Sequence, residues 1–342
     1  MIDDTIAFDG RTPSVRALGG AEKAVAGLAA ALAARDHAVS VVNRCDKGEV
    51  IDGVTWAPWD APRPPAADVT IAQRDPRLFQ ELPEAPANIL WYWGNPAQLN
   101  QPENQAAMER YKPIVAFVGE AQKQLWRSWR DFIEVVIPPG LCPDYIRAEA
   151  PEEHPDPIAV MTTHPVHGMT DFVRLWRERI YAQRPAAKLH IYSASLAKAA
   201  SGSKPLDRIA DVFEEVREAA DDGVEIKAPG PDADMAAAYA AARVHLYPAI
   251  PSEMYGSTLA ESQAAGLPAV VLRPETASPA AERVHNGRTG YLVPDLEAVA
   301  NIALELLSDD FGMYDGLHRD ARILQAARKW ETAAIEFEGL WS

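Results

Sequence analysis

The stretch Pro251-Ser252-Glu253-Met254-Tyr255-Gly256-Ser257-Thr258-Leu259-Ala260-Glu261 decides the fold of this protein. The apolar run Val244-His245-Leu246 before it predicts a buried strand, and the regular pattern that begins at Ser257 predicts a helix. Between them, a loop presents Glu253, and Gly256 allows close approach of the backbone. This order of strand, loop and helix is typical of a parallel α/β sheet, in which ligands bind beyond the carboxyl ends of the strands.

The predicted helix start at Ser257-Thr258 combines free backbone N–H groups with the positive end of the helix dipole, which favours phosphate. Glu261 lies one turn inside the helix, where its negative charge cannot favour a phosphate. A neutral partner with two adjacent hydroxyls, such as a ribose, suits Glu261, and Glu253 suits the hydroxyls of a hexose. Because a nucleotide-sugar offers ribose, diphosphate and sugar in this order, the stretch predicts a nucleotide-sugar site.

Outward from this stretch, short β-branched runs alternate with Ala-rich helical patterns along the chain. Strands are predicted at 5–8, 37–42, 69–72, 89–92, 114–117 and 134–137, then at 157–161, 189–192, 224–226, 244–246 and 269–272. The polar, Pro-rich segment 148–157 predicts a linker between the two series. We therefore expect two Rossmann-like, doubly wound domains, 1–147 and 148–324, that face each other across a cleft.

Charge excludes some classes of partner. The chain has 342 residues with 33 Lys plus Arg against 49 Asp plus Glu, a formal net charge of −16. The first 147 residues hold 19 acids and 15 bases, so most of the negative charge lies in the second half. This balance argues against a nucleic-acid partner and against more than peripheral membrane contact. With two distant cysteines, no signal-peptide pattern and no long apolar run, we expect a cytoplasmic protein.

Several motifs of other enzyme classes are missing. No Gly-x-Gly-x-x-Gly follows the first predicted strand, which leaves a Rossmann oxidoreductase as a remote alternative. His164 and His167 are three residues apart without a third ligand nearby, so no metal site and no cofactor is predicted. Asp232-Ala233-Asp234 has the spacing of a cation-binding Asp-x-Asp, but an N-cap aspartate explains it more simply.

The pair Glu253 and Glu261 resembles the Glu-x7-Glu signature of retaining glycosyltransferases with the GT-B fold, in particular glycosyltransferase family 4. Other segments resemble this family in the same order along the chain. They are Gly19-Gly20-Ala21-Glu22-Lys23, Val136-Ile137-Pro138-Pro139-Gly140-Leu141, Gly287-Arg288-Thr289-Gly290-Tyr291-Leu292-Val293 and Lys329-Trp330-Glu331. The resemblance covers nearly the whole chain and implies that the last helix, about 325–342, crosses back onto the first domain.

The resemblance implies a role for each half. The second domain would bind a UDP- or GDP-linked sugar, and the first a glycan, lipid-linked or small-molecule acceptor. Glu261 would hold the ribose and Glu253 the hexose, while Gly256 and the backbone of Ser257, Thr258 and Leu259 would contact the diphosphate and sugar. Transfer would retain the anomeric configuration without a metal, and catalysis would stabilise the charge that grows on the diphosphate.

One segment departs from the family pattern. Where the family has Gly-Arg-x4-Lys-Gly, this chain has Met161-Thr162-Thr163-His164-Pro165-Val166-His167-Gly168, which puts Thr162 at the Arg position and His167 at the Lys position. We expect Thr162, Thr163, His167 and Gly168 to contact the donor, and the pKa of His167 to rise beside a diphosphate. Because two permanent charges are missing, a catalytically weak or silent nucleotide-sugar-binding protein is the first alternative, unless Arg174 or Arg273 helps.

The acceptor side is expected around Gly19, Gly20, Trp93 and Asn95. A glycine pair at a helix start permits phosphate or hydroxyl approach, although simple turn chemistry also explains it. Trp93 and Asn95 follow a predicted strand at its carboxyl end, where an aromatic ring can stack on a sugar. Core packing is the competing explanation for the tryptophans of this strand.

Overall fold

The computed structural model describes residues 1–149, 151–273 and 278–342 and divides into two compact units. Unit 1 contains Met1–Cys142 and Arg328–Ser342, and unit 2 contains Pro143–Ala327. The helix Pro143–Arg147 therefore belongs to unit 2, whereas the sequence placed it in the first domain. The reason is packing: Tyr145 of this helix is fully buried, and its hydroxyl donates to Asp232 Oδ1 at 2.7 Å.

Among the described residues, the strands lie within two residues of the predicted bounds wherever one was predicted after residue 36. They are β1 (Val39–Asn43), β2 (Glu49–Ile51), β3 (Val54–Pro58), β4 (Val69–Gln73), β5 (Ala87–Tyr92), β6 (Ile114–Phe117), β7 (Glu134–Val136), β8 (Ile158–Met161), β9 (Lys188–Tyr192), β10 (Val224–Lys227), β11 (Val244–Pro248), β12 (Ala269–Leu272) and β13 (Gly290–Val293). Strands β2, β3 and β13 were not predicted.

The α-helices are α1 (Thr12–Val15), α2 (Gly20–Ala33), α3 (Pro102–Tyr111), α4 (Glu120–Gln124), α5 (Pro143–Arg147), α6 (Met169–Leu175), α7 (Ala194–Ala200), α8 (Asp207–Glu218), α9 (Asp232–Ala240), α10 (Ser257–Ala264), α11 (Leu296–Leu306), α12 (Gly312–Ala326) and α13 (Trp330–Glu338). Helix α6 continues as a π-helical segment, Trp176–Tyr181. In the part of the chain that the structure describes, no helix is long and apolar enough to cross a bilayer.

The sheet of unit 1 has the strand orders β2-β3-β1 and β4-β5-β6-β7, with β2 antiparallel to β3 and the remaining pairs parallel. Ile2 joins the two parts, because it bridges both Val42 and Ala72. The prediction of a first strand at 5–8 was wrong. Asp3 Oδ1 accepts hydrogen bonds from the backbone N–H and the hydroxyl of Thr5, at 3.0 and 2.5 Å, and the chain bends there.

The last helix, α13, packs within unit 1. Arg35, just after α2, makes two hydrogen bonds to Glu338, each 2.7 Å long, and Phe337 is fully buried with its ring centroid 5.1 Å from that of Trp91. The hydrogen bond from Arg35 is the main cause that lowers the pKa of Glu338 to about 2. The chain returns to unit 1 at Arg328 rather than at 325.

The sheet of unit 2 is entirely parallel, with the order β10-β9-β8-β11-β12-β13. Counted from β8, this is the order 3-2-1-4-5-6 of a doubly wound Rossmann fold. The strand order reverses between β8 and β11, and a crevice at the carboxyl ends of the strands is expected at this switch point. The residues that follow β8 and β11 therefore occupy the favoured position for a ligand.

The segment 148–157 is not a linker between the units, because it lies inside unit 2. It has no helix or strand among its described residues, as its prolines predict, and Ala150 lies outside the described part. The ring of His154 stacks on Phe311 with the centroids 3.6 Å apart, and Arg243 Nε donates to the carbonyl of Pro155 at 2.5 Å. These contacts hold the segment on the surface of its own unit.

Candidate functional site

The site is built on helix α10, which begins directly after the loop that leaves β11. Gly256 precedes the helix in the left-handed region, with φ 73° and ψ 56°, a conformation that favours glycine over every residue with a Cβ. This turn points the start of α10 toward the carboxyl end of the sheet. The sequence thus predicted the helix start, whereas the left-handed conformation of Gly256 is a different reason for a glycine than the close backbone approach expected from sequence.

The first turn of α10 divides into polar and buried positions. The N–H groups of Leu259 and Ala260 donate to the Gly256 carbonyl at 3.0 and 3.2 Å, so Ser257 and Thr258 precede the internal ladder. Both of these residues are half-buried, whereas Leu259 is fully buried. The N–H groups at Ser257 and Thr258 fit a phosphate, and Leu259 contributes mainly by packing.

The two glutamates of the sequence pattern have different surroundings. Glu261 is 7% exposed inside α10, and its charge raises the pKa of Tyr239, after burial, which is the larger cause. Glu253 is half-buried and accepts a 2.5 Å hydrogen bond from the Tyr247 hydroxyl. Burial raises the pKa of Glu253, and the Tyr247 hydrogen bond opposes this rise. Tyr247 thus holds the Glu253 carboxylate before the helix, and Glu261 is buried one turn inside it.

Thr162 follows β8 directly, and its hydroxyl connects the loop after β8 with α10. It donates to Thr258 Oγ1 at 2.9 Å and lies 3.0 Å from His245 Nε2. The residue that stands at the arginine position of the family pattern is therefore a hydroxyl engaged within the protein. It brings no charge to the start of α10.

The remainder of this loop contains both buried and exposed residues. Thr163 is buried, and within the described residues its hydroxyl has no hydrogen-bond partner. Gly168 precedes α6 with φ 74°, and a Cβ there would lie 3.2 Å from the Cβ of Pro248. The close approach of residue 168 to the end of β11 requires a glycine, for conformational and steric reasons.

His167 is half-buried, and its ring centroid lies 5.3 Å from that of His164. Burial lowers the pKa of His167, so in the protein alone the imidazole tends toward the neutral form. The predicted rise in the pKa of His167 refers to a bound diphosphate and stays a prediction. Arg174 is engaged elsewhere, because it donates to Glu215 at 3.0 Å, and Arg273 is exposed.

Sequence reasoning missed His245 and Ser262. His245 is fully buried in β11, its Nδ1 lies 2.8 Å from Ser262 Oγ, and burial lowers its pKa to about 3. A single histidine inside the apolar run 244–248 was the available signal. It did not reveal a function, because the partners of His245 come from the loop after β8 and from α10, which are distant in sequence.

The aspartate N-cap predicted at Asp232-Ala233-Asp234 is not found in α9, whose N-cap is Pro231. Asp232 is the first residue of α9 rather than its N-cap, so the N-cap prediction was wrong. Its buried carboxylate accepts the hydrogen bond from Tyr145. Across the described residues, no group of three or more His, Cys, Asp or Glu side chains has the arrangement of a metal site.

In unit 1, Gly19 is the N-cap of α2 and Gly20 is the first residue of that helix. Gly19 has an ordinary φ of −66°, so its glycine has a different cause. A Cβ at this position would come within 2.2 Å of Glu22 Oε2, and Glu22 is buried and paired with Arg74 at 2.8 Å. The glycine makes room for the Glu22 carboxylate.

Trp93 and Asn95 lie just after β5, as predicted. The ring of Trp93 packs edge-on against Trp91 with the centroids 5.5 Å apart, and Trp91 itself is in the core. Asn95 is exposed, and its Oδ1 accepts from the Ala97 N–H at 3.0 Å, which caps the 3-10 helix Pro96–Asn100. An acceptor role for these residues stays a prediction.

A comparison with known protein families finds a match within unit 2. Residues 158–309 match the family model described as "Glycosyl transferases group 1", which begins at β8 and includes the whole sheet of unit 2. No curated protein matches the chain.

Solved structures resemble the whole chain. Sucrose-phosphate synthase from Thermosynechococcus elongatus is 18% identical with a TM-score of 0.70, over 99% of this chain and 98% of that one. WaaG, a glycosyltransferase involved in lipopolysaccharide biosynthesis, is 14% identical with a TM-score of 0.63, over 100% of both chains. HepE of Anabaena, solved in complex with UDP-glucose, is 13% identical with a TM-score of 0.68, over 99% and 97%.

These relatives are glycosyltransferases with the GT-B fold, and the order of elements in both units agrees with two Rossmann-like domains. The chain therefore has the GT-B fold, and its residues 158–309 match the model of the glycosyl transferases group 1 family.

Proposed function

We propose that the protein is a retaining glycosyltransferase that moves a sugar from a UDP- or GDP-linked donor to a glycan, lipid-linked or small-molecule acceptor, in the cytoplasm and without a metal. One observation supports this most: α10 presents two half-buried N–H positions, Ser257 and Thr258, between two carboxylates on the same short segment. A diphosphate between a ribose and a hexose has the matching order of groups.

In this proposal, unit 2 binds the donor. Glu261 accepts hydrogen bonds from the ribose hydroxyls, because a carboxylate only accepts and each hydroxyl can donate to it. The start of α10 holds the diphosphate through N–H groups and the helix dipole. Glu253 accepts from a hydroxyl of the hexose. Thr162, Thr163, His167 and Gly168 line the diphosphate from the loop after β8.

The chemistry follows from these positions. The anomeric carbon of the donor loses its bond to the diphosphate oxygen and gains a bond to the acceptor oxygen on the same face. The departing diphosphate takes the proton of the acceptor hydroxyl, so the protein's main task is to stabilise the growing negative charge. The start of α10 and His167 supply this stabilisation, and a protonated His167 would add a full charge.

Unit 1 is the proposed acceptor unit. The start of α2 carries Gly19 and Gly20 close to the ion pair of Glu22 with Arg74, and the segment after β5 carries Trp93 and Asn95. These groups suit a ligand rich in hydroxyls, through hydrogen bonds and aromatic stacking.

The test is a thermal-shift and calorimetric screen of the full chain against UDP, GDP, UDP-glucose, UDP-N-acetylglucosamine, GDP-mannose and NAD. We expect stabilisation by one nucleoside diphosphate and its sugar, and release of the diphosphate above a blank without enzyme. Binding of NAD without any of the others would replace the proposal with an oxidoreductase.

A second candidate is a nucleotide-sugar-binding protein without catalytic activity. It is favoured by the absence of a permanent charge at Thr162 and His167, where a departing diphosphate needs cations. Tight donor binding with no hydrolysis or transfer, measured over a panel of acceptors, would select this candidate.

A further inference from the structure

Six polar side chains of unit 2 form one continuous hydrogen-bonded chain. They are, in order of contact, Ser262, His245, Thr162, Thr258, Tyr247 and Glu253. At its buried end, Ser262 Oγ lies 2.8 Å from His245 Nδ1, and His245 Nε2 lies 3.0 Å from Thr162 Oγ1. This part joins α10 to β11 and β11 to the loop after β8.

The other end of the chain reaches the donor site. Thr162 donates to Thr258 Oγ1 at 2.9 Å. The Thr258 hydroxyl is close enough to the phenolic oxygen of Tyr247 to act on it as a hydrogen-bond donor, which lowers the pKa of Tyr247 against the larger effect of burial. Tyr247 in turn donates to Glu253 Oε1 at 2.5 Å. The side chain proposed to hold the donor sugar is therefore connected, through three hydroxyls, to a buried imidazole.

Counting donors gives this chain a direction. An ionised Glu253 only accepts, so Tyr247 must donate to it, and the Tyr247 oxygen must accept from the next hydroxyl. The same rule applies at Thr258 and Thr162, because each hydroxyl has one hydrogen. The Thr162 oxygen then needs a donor, which is the Nε2–H of His245, and the bare Nδ1 accepts from Ser262.

The opposite direction requires a different protonation state. In that case Glu253 carries a proton, His245 is protonated at Nδ1, and Ser262 donates to the Leu259 carbonyl, which lies 3.2 Å away. The tautomer of His245 and the ionisation of Glu253 are thus coupled, although three other side chains separate them. Hydrogen bonds that point the same way also polarise and strengthen one another.

The surroundings keep the imidazole neutral. His245 is fully buried, its ring stacks on Tyr239 with the centroids 6.0 Å apart, and Tyr247 contacts its edge at 5.3 Å. Besides these two tyrosines, Glu261 acts electrostatically on Tyr239, and Glu253 terminates the chain. Among the described residues no cation contacts His245, and burial disfavours its charged form.

We propose that His245 is a positioning residue of the donor site: as the neutral Nε2–H tautomer, it orients the hydroxyls of Thr162, Thr258 and Tyr247 so that Glu253 is held ionised and aimed as an acceptor for a hydroxyl of the donor sugar. This inference rests on the proposed function for its sugar ligand, and on the protein alone for the tautomer. In this chain, Thr162 serves as a relay of hydrogen bonds where a cation would act by charge.

The first arm of the test needs no ligand. Long-range ¹H–¹⁵N correlation spectra of the full chain, labelled at histidine, report which ring nitrogen carries the proton, and H245F assigns the signal by its loss. We expect the Nε2–H tautomer at pH 7.5. An Nδ1–H tautomer or an imidazolium at this pH overturns the proposed direction of the chain.

The second arm measures sugar recognition. For the wild type and variants, calorimetry gives the ratio of the Kd for UDP-glucose to the Kd for UDP, or the same ratio for GDP-mannose and GDP if that pair binds. We expect T162V, which keeps the side-chain shape but removes the hydroxyl, to raise this ratio by about three- to tenfold, the size of one lost hydrogen bond. T162S should restore the ratio.

Matched controls separate positioning from stability. Thr289 is a buried threonine of the same unit whose hydroxyl accepts from the His285 N–H. T289V should lower the melting temperature by an amount similar to T162V and leave the ratio unchanged. A wild-type ratio in T162V overturns the inference, whereas a wild type that binds none of these nucleotides overturns the proposed function while the spectra still decide the tautomer.

Discussion

At the switch point of unit 2, the loop after β8 and the loop after β11 present different chemical groups at the carboxyl ends of their strands. The loop after β11 has a carboxylate, a left-handed glycine and a polar helix start, and its sequence resembles the family pattern. The loop after β8 keeps its left-handed glycine, Gly168, but has Thr162 and His167 at the two cationic positions. Both loops have a left-handed glycine directly before a helix. The loop after β8 has no permanently charged side chain.

This difference shows which features the fold itself supplies. A helix start and a glycine turn follow from the parallel sheet, so they occur in both loops. A cation has to be placed by a side chain, and in the loop after β8 a hydroxyl and a titratable ring stand in its place. Recognition of ribose and hexose should therefore depend on the loop after β11, and the strength of diphosphate binding on the loop after β8.

The largest effects are expected from the carboxylates near β11. E261A should weaken binding of the nucleoside diphosphate, and E253A should reduce sugar transfer, each by about ten- to hundredfold, because a hydrogen bond to a charged group contributes about 1.5–3 kcal/mol. Calorimetry and initial rates measure the two effects. Glu297 on α11 is an exposed glutamate of the same unit, so E297A serves as the control. Full activity in both site variants would remove the proposed site.

An intermediate effect is expected from His167. H167A should weaken binding of the nucleoside diphosphate by about three- to tenfold, and H167K should strengthen it, because a permanent charge then faces the diphosphate. The melting temperature of each variant checks the fold. Equal affinities of the wild type, H167A and H167K would show that His167 does not face the donor.

The same histidine predicts a pH dependence of binding. Burial lowers the pKa of His167 in the free protein, and a bound diphosphate favours the charged ring and raises that pKa. Between the two pKa values, binding takes up a proton, so affinity should increase as the pH falls from about 8 to about 6, by at most about tenfold for each pKa unit of difference. UDP-glucose is the suitable probe, since its diphosphate has no proton to exchange in this range. The slope should vanish in H167K, and a slope that persists there belongs to another group.

For the two left-handed glycines, the expected effect is on the stability of the fold. G256A should lose about 1–2 kcal/mol of unfolding free energy, because a residue with a Cβ is strained at φ 73°. G168A has the same strain at φ 74° and also places its Cβ 3.2 Å from Pro248, so its loss should be somewhat larger. Chemical denaturation measures both values. A smaller loss in G168A than in G256A would show that Pro248 moves without cost.

Much of the fold could be predicted from sequence, because period and composition decide it locally. In the second half, runs such as 158–161 and 269–272 are apolar on both faces, and they form the central strands of a parallel sheet. Where a predicted element is missing, local hydrogen bonds favour another conformation. The run 5–8 has strand composition, but the hydrogen bonds of Asp3 with Thr5 bend the chain, and only Ile2 pairs with the sheet.

The candidate site was likewise predicted from sequence only where its residues lie in one segment. The pattern from Glu253 to Glu261 predicted the glycine turn and the polar helix start, because all of these residues lie in one short segment. His245 escaped notice because its two partners, Thr162 and Ser262, come from segments 83 and 17 residues away. The significance of Thr162 likewise depends on its contact with Thr258, which lies 96 residues further along the chain.

The sequence by itself determined the alternation of strands and helices, the negative charge of the second half, and the segment for which we propose a nucleotide-sugar site. These features are local or additive, so neighbouring residues suffice to specify them. Only the tertiary structure decided that the segment 148–157 packs on unit 2, that α5 belongs there, and that a buried histidine is connected to Glu253. Such contacts depend on which strands become neighbours, and strand order is set by packing of the whole sheet.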